Sequence, residues 1–175
     1  MARDTNNIPL LNNFGLFFYE VQTLDSSIYY FKKTVTLDSN YAIGWNNLGT
    51  AHNENYNYPE AIKHFKKAVE IDSGYVNAYF NLGVAYLNNE QYEESVKELK
   101  KAISFIPDAP ETYYYLACAY SLAKQDSLGL EALEKALMKG YKYPNNLTMD
   151  PDLERLRTFR AFHDLMKEYF PAKKD

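Results

Sequence analysis

Residues 44–54 read GWNNLGTAHNE, and the pair Asn47-Leu48 within this stretch decides how the whole chain is interpreted. An asparagine also stands directly before a large apolar residue at Asn13 and Asn81, 34 residues away on either side. Asparagine is a mediocre helix former, so helix propensity does not explain its return at a fixed interval. A fixed period of about 20–50 residues indicates an internal repeat.

Aligned at a period of 34, the sequence gives four registers, which begin at Ile8, Ala42, Val76 and Pro110. Within a register the fourth and seventh residues are large, the eighth and twentieth are small, and the twenty-fourth is bulky. Large residues at spacings of three, four and seven form one stripe of an α-helix. Each register therefore predicts an antiparallel pair of helices. The pairs stack because one pair cannot bury both of its faces.

This pattern closely resembles the tetratricopeptide repeat, with its W-L-G-Y…A-F-A…P signature. The residues that carry the resemblance are Trp45, Leu48, Gly49, Ala61, Phe65 and Ala68 in the second register and Tyr79, Leu82, Gly83, Tyr86, Leu99, Ala102 and Pro107 in the third. The chain departs from the signature at His52, which we expect to be a packed substitute for tyrosine, and at Gly129, where alanine is usual. The resemblance implies an all-α fold, a right-handed α-solenoid of four helical hairpins plus a C-terminal capping segment.

The expected repeats span residues 8–41, 42–75, 76–109 and 110–143, with residues 1–7 before them and 144–175 after them. Residues 1–7 align with the closing loop of a repeat, and the helix that follows is apolar nearly all round. Array ends need a polar outer face. We therefore expect either that the native chain continues upstream or that this end packs against a partner or another copy of itself.

The segment MDPDLERLRTFRAFHDLM near the C-terminus resembles the closing segment of bacterial tetratricopeptide arrays. Its apolar residues recur at helical spacing, and we expect them to cover the last repeat: Leu153, Leu156, Phe159, Phe162 and Leu165.

On a helical wheel, the sixth residue of each register lies opposite the apolar stripe. In tetratricopeptide proteins this side lines the concave surface, so we predict a peptide-binding groove there. The predicted site residues are Asn12, Asn13, Asn46, Asn47, Thr50, Asn77, Phe80, Asn81, Val84, Tyr114 and Tyr115. A side-chain amide can pair with both the N–H and the C=O of an extended peptide. The sequence leaves open the alternative that the asparagines only bridge adjacent first helices.

The predicted function is a non-catalytic interaction scaffold that holds an extended peptide or a partner helix in this groove. Two alternatives remain open at this point. One is an architectural module that self-assembles, through its apolar N-terminal helix, or joins a larger complex through its ends. The other is the regulatory portion of a longer enzyme. The fifth positions of the registers carry no lysine, which disfavours the branch of the family that grips a terminal carboxylate.

The charge, the apolar runs and the single cysteine argue against several other classes of function. A net charge of −4 without a basic run argues against nucleic-acid partners, and no apolar run reaches membrane-spanning length. Cys118, the single cysteine, has no histidine or aspartate at a useful sequence spacing, so we expect no catalytic or metal-binding role for it. No cofactor motif is present. The N-terminus does not resemble a signal peptide, which predicts a cytoplasmic protein, or a periplasmic one if an export signal has been removed.

Overall fold

A computed structural model describes residues 7–171, and within that range the chain is helical without any β-strand. The α-helices are α1 (Ile8–Glu20), α2 (Leu24–Leu37), α3 (Ala42–Glu54), α4 (Tyr58–Ile71), α5 (Val76–Asn88), α6 (Tyr92–Phe105), α7 (Pro110–Leu122), α8 (Asp126–Met138), α9 (Pro144–Met149), α10 (Glu154–Arg157) and α11 (Arg160–Tyr169), with a 3₁₀ turn at Pro151–Leu153. The predicted all-α class is confirmed. Residues 1–6, which carry most of the expected remnant of an earlier repeat, lie outside the described range.

The period of 34 residues governs the backbone as well as the side chains. The odd-numbered helices α1, α3, α5 and α7 begin at the residues that open the four registers. The loop inside each helix pair contains one non-glycine residue in the left-handed conformation, and these residues are also 34 apart: Gln22, Tyr56, Glu90 and Lys124, with φ of 58–59°. This conformation costs roughly 1–2 kcal/mol for a residue with a Cβ, and here it ends one helix and turns the chain into the next.

The chain divides into two compact units, the first ending at Asn89 and the second beginning at Glu90. In the first unit the core is built between consecutive helices, with Phe31 and Val35 of α2 packed against Leu48 and Ala51 of α3. Gly49 explains why the eighth position must be small. A Cβ there would lie 2.7 Å from the ring of Phe65, so only glycine lets α3 and α4 approach this closely.

In the second unit α7 and α8 form a hairpin, and the C-terminal segment packs on it. The 3₁₀ turn contacts α7, and α10 and α11 contact α8. Of the residues predicted to cover the last repeat, Leu153, Leu156 and Phe162 are buried, Leu165 is half-buried and Phe159 is exposed. The difference arises because the segment is not one continuous helix. Phe159 has an extended backbone between α10 and α11, which takes its side chain off the buried stripe.

Gly129, the departure from the family signature, is also explained by this C-terminal segment. A Cβ at Gly129 would lie 3.0 Å from the Leu156 side chain. An alanine at this position would therefore require the Leu156 side chain to shift by a few tenths of an ångström. Arg155 adds an ion pair with Asp126 at the start of α8, with Nη2 2.7 Å from the carboxylate, and this contact ties α10 to α8.

Candidate peptide-binding site

In the first unit, asparagine side chains connect each first helix to the next. The Asn47 amide donates to Oδ1 of Asn12 at 3.0 Å, and the Asn81 amide donates to Oδ1 of Asn46 at 2.9 Å. These two bonds join α1 to α3 and α3 to α5. Each bond links the sixth residue of one register to the fifth residue of the register before it. The repeat thus places the same amide pair at two successive levels.

The fifth positions differ from the wheel prediction, which placed them on the open side of the helix. Asn12 and Asn46 are buried. The wheel describes one helix, whereas the neighbouring first helix covers this position, since α1 contacts α3 and α3 contacts α5. A buried amide needs a hydrogen-bonding partner, and the amide bridge supplies one. The bridging alternative is therefore present in the molecule.

The sixth positions and their neighbours are more open. Asn13 and Asn77 are exposed, and Asn47 and Asn81 are half-buried. Thr50, Phe80 and Val84 are half-buried, and the Thr50 hydroxyl donates to the backbone carbonyl of Asn46 at 3.0 Å. A third amide contact lies further along α3 and α5, where Asn88 donates to Asn53 at 3.3 Å. The open side of the first unit is therefore a surface rich in amides with apolar side chains among them.

The predicted aromatic residues of the site lie in the second unit. Tyr115 is half-buried, whereas Tyr114 is 6% exposed and its ring stacks on Tyr141 at a centroid distance of 4.7 Å. The Tyr114 hydroxyl donates to the carboxylate of Asp150. Burial and then this hydrogen bond raise the pKa of Tyr114 well above its usual value, so the hydroxyl stays protonated and acts as a donor.

Cys118 has acidic neighbours, contrary to the expectation from sequence spacing. Its Sγ lies 3.9 Å from Oδ2 of Asp150, and the sulfur and one oxygen each of Asp150 and Asp152 lie within 4.8 Å of one another. Such a group has the spacing of metal ligands, but a cysteine binds metals as the thiolate. Burial and then the two carboxylates raise the pKa of the Cys118 thiol, which favours a protonated thiol that donates to Asp150.

Asp150 therefore joins the C-terminal segment to α7. Besides accepting from Tyr114 and Cys118, its Oδ1 accepts the backbone N–H of Asp152 at 2.9 Å. The backbone carbonyl oxygen of Asp150 accepts a hydrogen bond from the Arg157 guanidinium at 2.6 Å. No local signal in the sequence points to this cluster, because 36 residues separate Tyr114 from Asp150.

Two histidines that are distant in sequence meet inside the α3–α4 hairpin. The rings of His52 and His64 are 5.2 Å apart, and Trp45 lies 5.5 Å from His64. Nδ1 of both histidines is buried without a hydrogen-bonding partner within the described part of the chain. Burial and then the neighbouring His52 lower the pKa of His64 to about 4. The pair is thus neutral at pH 7 and packs as part of an aromatic core.

The repeat is also recognised by comparison with known sequences. One family profile, described as "TPR repeat", matches residues 57–90, and another, described as "Tetratricopeptide repeat", matches residues 76–108. This chain contains tetratricopeptide repeats. The repeats support a general role as a protein-interaction scaffold. Comparison with curated proteins gives no match. Among residues 7–171, no helix has both the length and the apolar character that a membrane crossing requires.

Solved structures of the same fold include several of MamA. One is 25% identical in sequence and aligns over 79% of this chain and 81% of its own, with a TM-score of 0.75. A MamA fragment from Desulfovibrio magneticus RS-1 is 19% identical and aligns over 95% of this chain and 98% of its own, also with a TM-score of 0.75. The first TPR of Spaghetti (RPAP3), solved with the HSP90 peptide SRMEEVD, is 19% identical and aligns over 70% and 98%, with a TM-score of 0.63.

Proposed function

We propose that this tetratricopeptide repeat protein is a non-catalytic scaffold that holds an extended peptide on the open side of α1, α3 and α5. The observation that carries the proposal is the pair of amide bridges, Asn12–Asn47 and Asn46–Asn81. They fix two equivalent amides one repeat apart. A ligand whose backbone runs across the helices would meet the same hydrogen-bonding group at each level.

The chemistry of an amide permits a bridge and a ligand contact at the same time. Each asparagine side chain has two N–H donors and one carbonyl acceptor. Asn47 uses one N–H on Asn12, and Asn81 uses one on Asn46. The second N–H and the carbonyl are the groups that would pair with a peptide backbone. In this proposal the buried Asn12 and Asn46 orient the contacting amides.

Amide contacts alone would bind weakly. Two or three hydrogen bonds at about 1 kcal/mol each do not reach millimolar affinity. Apolar anchors must supply the remainder, and the same side of the first unit offers Leu16 and Ile43, which are 39% and 45% exposed, beside the half-buried Val84. The ligand that fits best is an extended peptide with apolar side chains. The TPR of Spaghetti solved with a peptide supports the idea that this fold can hold one.

The test uses a phage-displayed library of random linear peptides as the probe. Peptides selected on the wild-type protein are then measured against the variant Asn13→Ala/Val84→Asp. This variant changes the open surface and leaves both amide bridges in place. We expect about a tenfold or greater loss of affinity with an unchanged melting temperature. Asn145→Ala, at an exposed site on α9, is the matched control and should bind like the wild type. Equal binding by all three proteins would contradict the proposal.

A second candidate function is association through the N-terminal end. The observation that favours it is the exposure of large apolar residues on α1, among them Leu10, Phe14 and Phe17. Contiguous apolar surface of this kind is typical of a protein-interaction site. The two surfaces adjoin on α1, because Leu10 and Phe17 lie three and four residues from Asn13 and are its neighbours on the helix.

A further inference from the structure

The outer stripe of α1 is exposed at positions that are buried in the other first helices. The third, seventh and tenth residues of α1 are Leu10, Phe14 and Phe17, with exposed fractions of 46%, 42% and 55%. The equivalent residues of α3 are Gly44, Leu48 and Ala51, and those of α7 are Thr112, Leu116 and Ala119, and all six are buried. Phe14 was expected to be a core residue from its register position, and its exposure corrects that expectation.

The cause lies in the helix that covers each stripe. In the first unit α2 packs on α3, where Phe31 and Val35 cover Leu48 and Ala51. In the second unit α6 packs on α7. Within the described residues α1 has no preceding helix in this place. Its stripe is therefore a helix-packing surface that no helix of residues 7–171 covers.

The stripe is held in a fixed arrangement by aromatic contacts. The Phe14 ring lies 5.4 Å from Tyr30, Phe18 stacks on Tyr30 at 5.3 Å, and Phe17 lies edge-on to Phe18 at 5.3 Å. Such offset and edge-on pairs are favourable beyond the area they bury. The surface is thus already arranged to receive another helix.

We propose that this surface is covered by a second copy of the chain, with the two α1 helices packed antiparallel about a twofold axis. The proposal rests on the second candidate function above, and it names the partner and the geometry of that association. In this arrangement the α1 stripe contacts the same stripe of the other copy, as a twofold interface requires.

The sequence of α1 suits self-pairing. Leu10, Phe14 and Phe17 are spaced by four and three residues, which is the spacing of the seam between two helices packed side by side. No charged residue occurs between Ile8 and Tyr19, so the pairing would not bring like charges together. An antiparallel pair centred near Phe14 places Leu10 of one copy against the partner's Phe17.

The helix ends add charge complementarity. α1 has no acidic residue in its first turn and no basic residue in its last, so neither end of its helix dipole is compensated within α1. Its one charged residue, Glu20, is at the C-terminal end, where a negative charge is unfavourable. Antiparallel packing brings the partner's Glu20 beside the N-terminal end of α1, where a carboxylate is favourable.

A head-to-tail arrangement is less suitable, because the second helix of the last repeat is already covered. α8 contacts α10 and α11. The exposed surface of α11 carries charged residues, including Arg160, Asp164 and Lys167. The C-terminal segment therefore does not offer α1 the apolar helix face that α2 offers α3, whereas α1 of a second copy does offer an apolar face.

Sedimentation velocity of the full chain from micromolar to millimolar concentration tests the proposal. We expect a reversible monomer–dimer equilibrium, and we expect Leu10→Glu/Phe17→Glu to weaken it by about a hundredfold or more, since the partner's glutamates would lie opposite. Both substituted residues are about half exposed, so the fold should persist, and circular dichroism checks this. The matched control is Met138→Glu/Met149→Glu, which changes two exposed apolar residues elsewhere and should leave the dimer intact.

Disulfide trapping tests the orientation. Mixing L10C with F17C should give the mixed L10C–F17C disulfide in preference to L10C–L10C, whereas parallel helices would give the opposite. The native Cys118 is buried and contributes little background. A monomer at every concentration, a dimer that tolerates both glutamates, or a parallel pair would overturn the proposal.

The same variants separate this inference from the proposals on which it depends. A capture experiment from a cell lysate, with the wild type and Leu10→Glu/Phe17→Glu as baits, completes the test. If the wild type is monomeric but retains a protein that the variant does not, the twofold pairing is wrong and association through α1 stands. If Leu10→Glu/Phe17→Glu changes neither the dimerisation nor the capture seen with the wild type, both the twofold pairing and association through α1 are wrong. Peptide binding across α3 and α5 is judged separately, by the peptide affinity of the Asn13→Ala/Val84→Asp variant.

Discussion

The fifth residue of the first helix is filled by different chemistry in the two units. In α1 and α3 of the first unit it is a buried asparagine, Asn12 or Asn46, which accepts a hydrogen bond from the next first helix, and in α5 it is the half-buried Phe80. In the second unit it is Tyr114, which donates to the carboxylate of Asp150. The polar residues at this position, Asn12, Asn46 and Tyr114, are all buried, but the hydrogen-bonding partner belongs to the next repeat in the first unit and to the C-terminal segment in the second. The element packed next to a repeat thus determines the polar residue that the repeat can bury.

The two units therefore differ in the kind of polar group that they place inside. The first unit uses neutral groups, namely the asparagine amides and the His52–His64 pair, whose pKa values are lowered mainly by burial. The second unit uses a carboxylate with several donors around it. Neutral pairs contribute little individually, whereas a partly buried carboxylate with three donors is costly to disturb. The expected effects of mutation are ranked accordingly.

The largest effect is expected for Asp150→Ala in the second unit. The substitution leaves the Tyr114 hydroxyl, the Cys118 thiol and the Asp152 N–H without their acceptor, and we expect a loss of about 3–4 kcal/mol of unfolding free energy. Urea denaturation measures the loss. Asp164→Ala is the control, because its ion pair with Arg160 is exposed at 3.5 Å and should cost less than about 0.5 kcal/mol. Equal losses in the two variants would show that the Asp150 cluster contributes no more stability than an exposed ion pair.

A smaller effect is expected for acidification of the first unit. His64 has a pKa of about 4 in the folded protein against 6.5 as its ordinary value. The unfolded chain then binds more protons between these values, so stability should fall by about 2–3 kcal/mol as the pH drops from about 6.5 to about 4. The charged and titratable groups near His64 are His52, Glu60, Lys63 and Lys32, of which Glu60 lies 3.6 Å from Nε2.

Urea denaturation at several pH values measures this dependence. In the variant His64→Phe the fall in stability over this pH range should be largely lost, because an apolar ring keeps the stacking and cannot take a proton. His163→Gln, at an exposed position of α11, is the control and should keep the wild-type dependence. An unchanged pH dependence in His64→Phe would show that the buried pair is not its source.

A third effect is the coupling between Asn46 and Asn81. A double-mutant cycle with alanine should give an interaction energy of about 1 kcal/mol, the usual net value of a neutral hydrogen bond. The pair Asn53–Asn88 is longer at 3.3 Å and more exposed, and it should give less than about 0.5 kcal/mol. If the more exposed pair has the larger interaction energy, burial does not explain the stabilisation by the amide bridge.

The smallest effect should be the same in both units. Gln22 and Lys124 hold equivalent left-handed conformations, each with φ of 59°, so replacement by glycine should raise the unfolding free energy by about 0.5 kcal/mol at either site. Ala123→Gly, at φ −72°, is the control, and we expect it to lower stability by a similar amount. A gain in only one unit would mean that the two hairpin loops are not equivalent.

The fold was largely predictable from the sequence, because its information is periodic. Large residues at Trp45 and Leu48 and a small one at Gly49 recur in register, and each first helix begins where a register begins. The break between α10 and α11 was not predictable in this way. Thr158 and Phe159 carry no proline or glycine signal, and the apolar spacing continues across the break, so tertiary packing rather than local preference ends α10.

The candidate site was less predictable than the fold. A helical wheel gives the direction of a side chain from its own axis, and it does not show the neighbouring helix that buries Asn46. The clusters of His52 with His64 and of Cys118 with Asp150 depend on contacts between helices. The hairpin prediction could have brought the histidines together, because α3 and α4 are antiparallel partners. Nothing in the sequence pattern places Asp150 beside α7.

The single thiol of this chain lies where the C-terminal segment meets α7. Cys118 is 1% exposed, and burial together with its neighbouring carboxylates raises the pKa of the thiol, so a thiol-reactive reagent can modify it only after the segment has moved away. The rate of thiol labelling then measures how often this end of the protein opens by local unfolding. The chain carries its own reporter of local unfolding, and no cysteine needs to be introduced to read it.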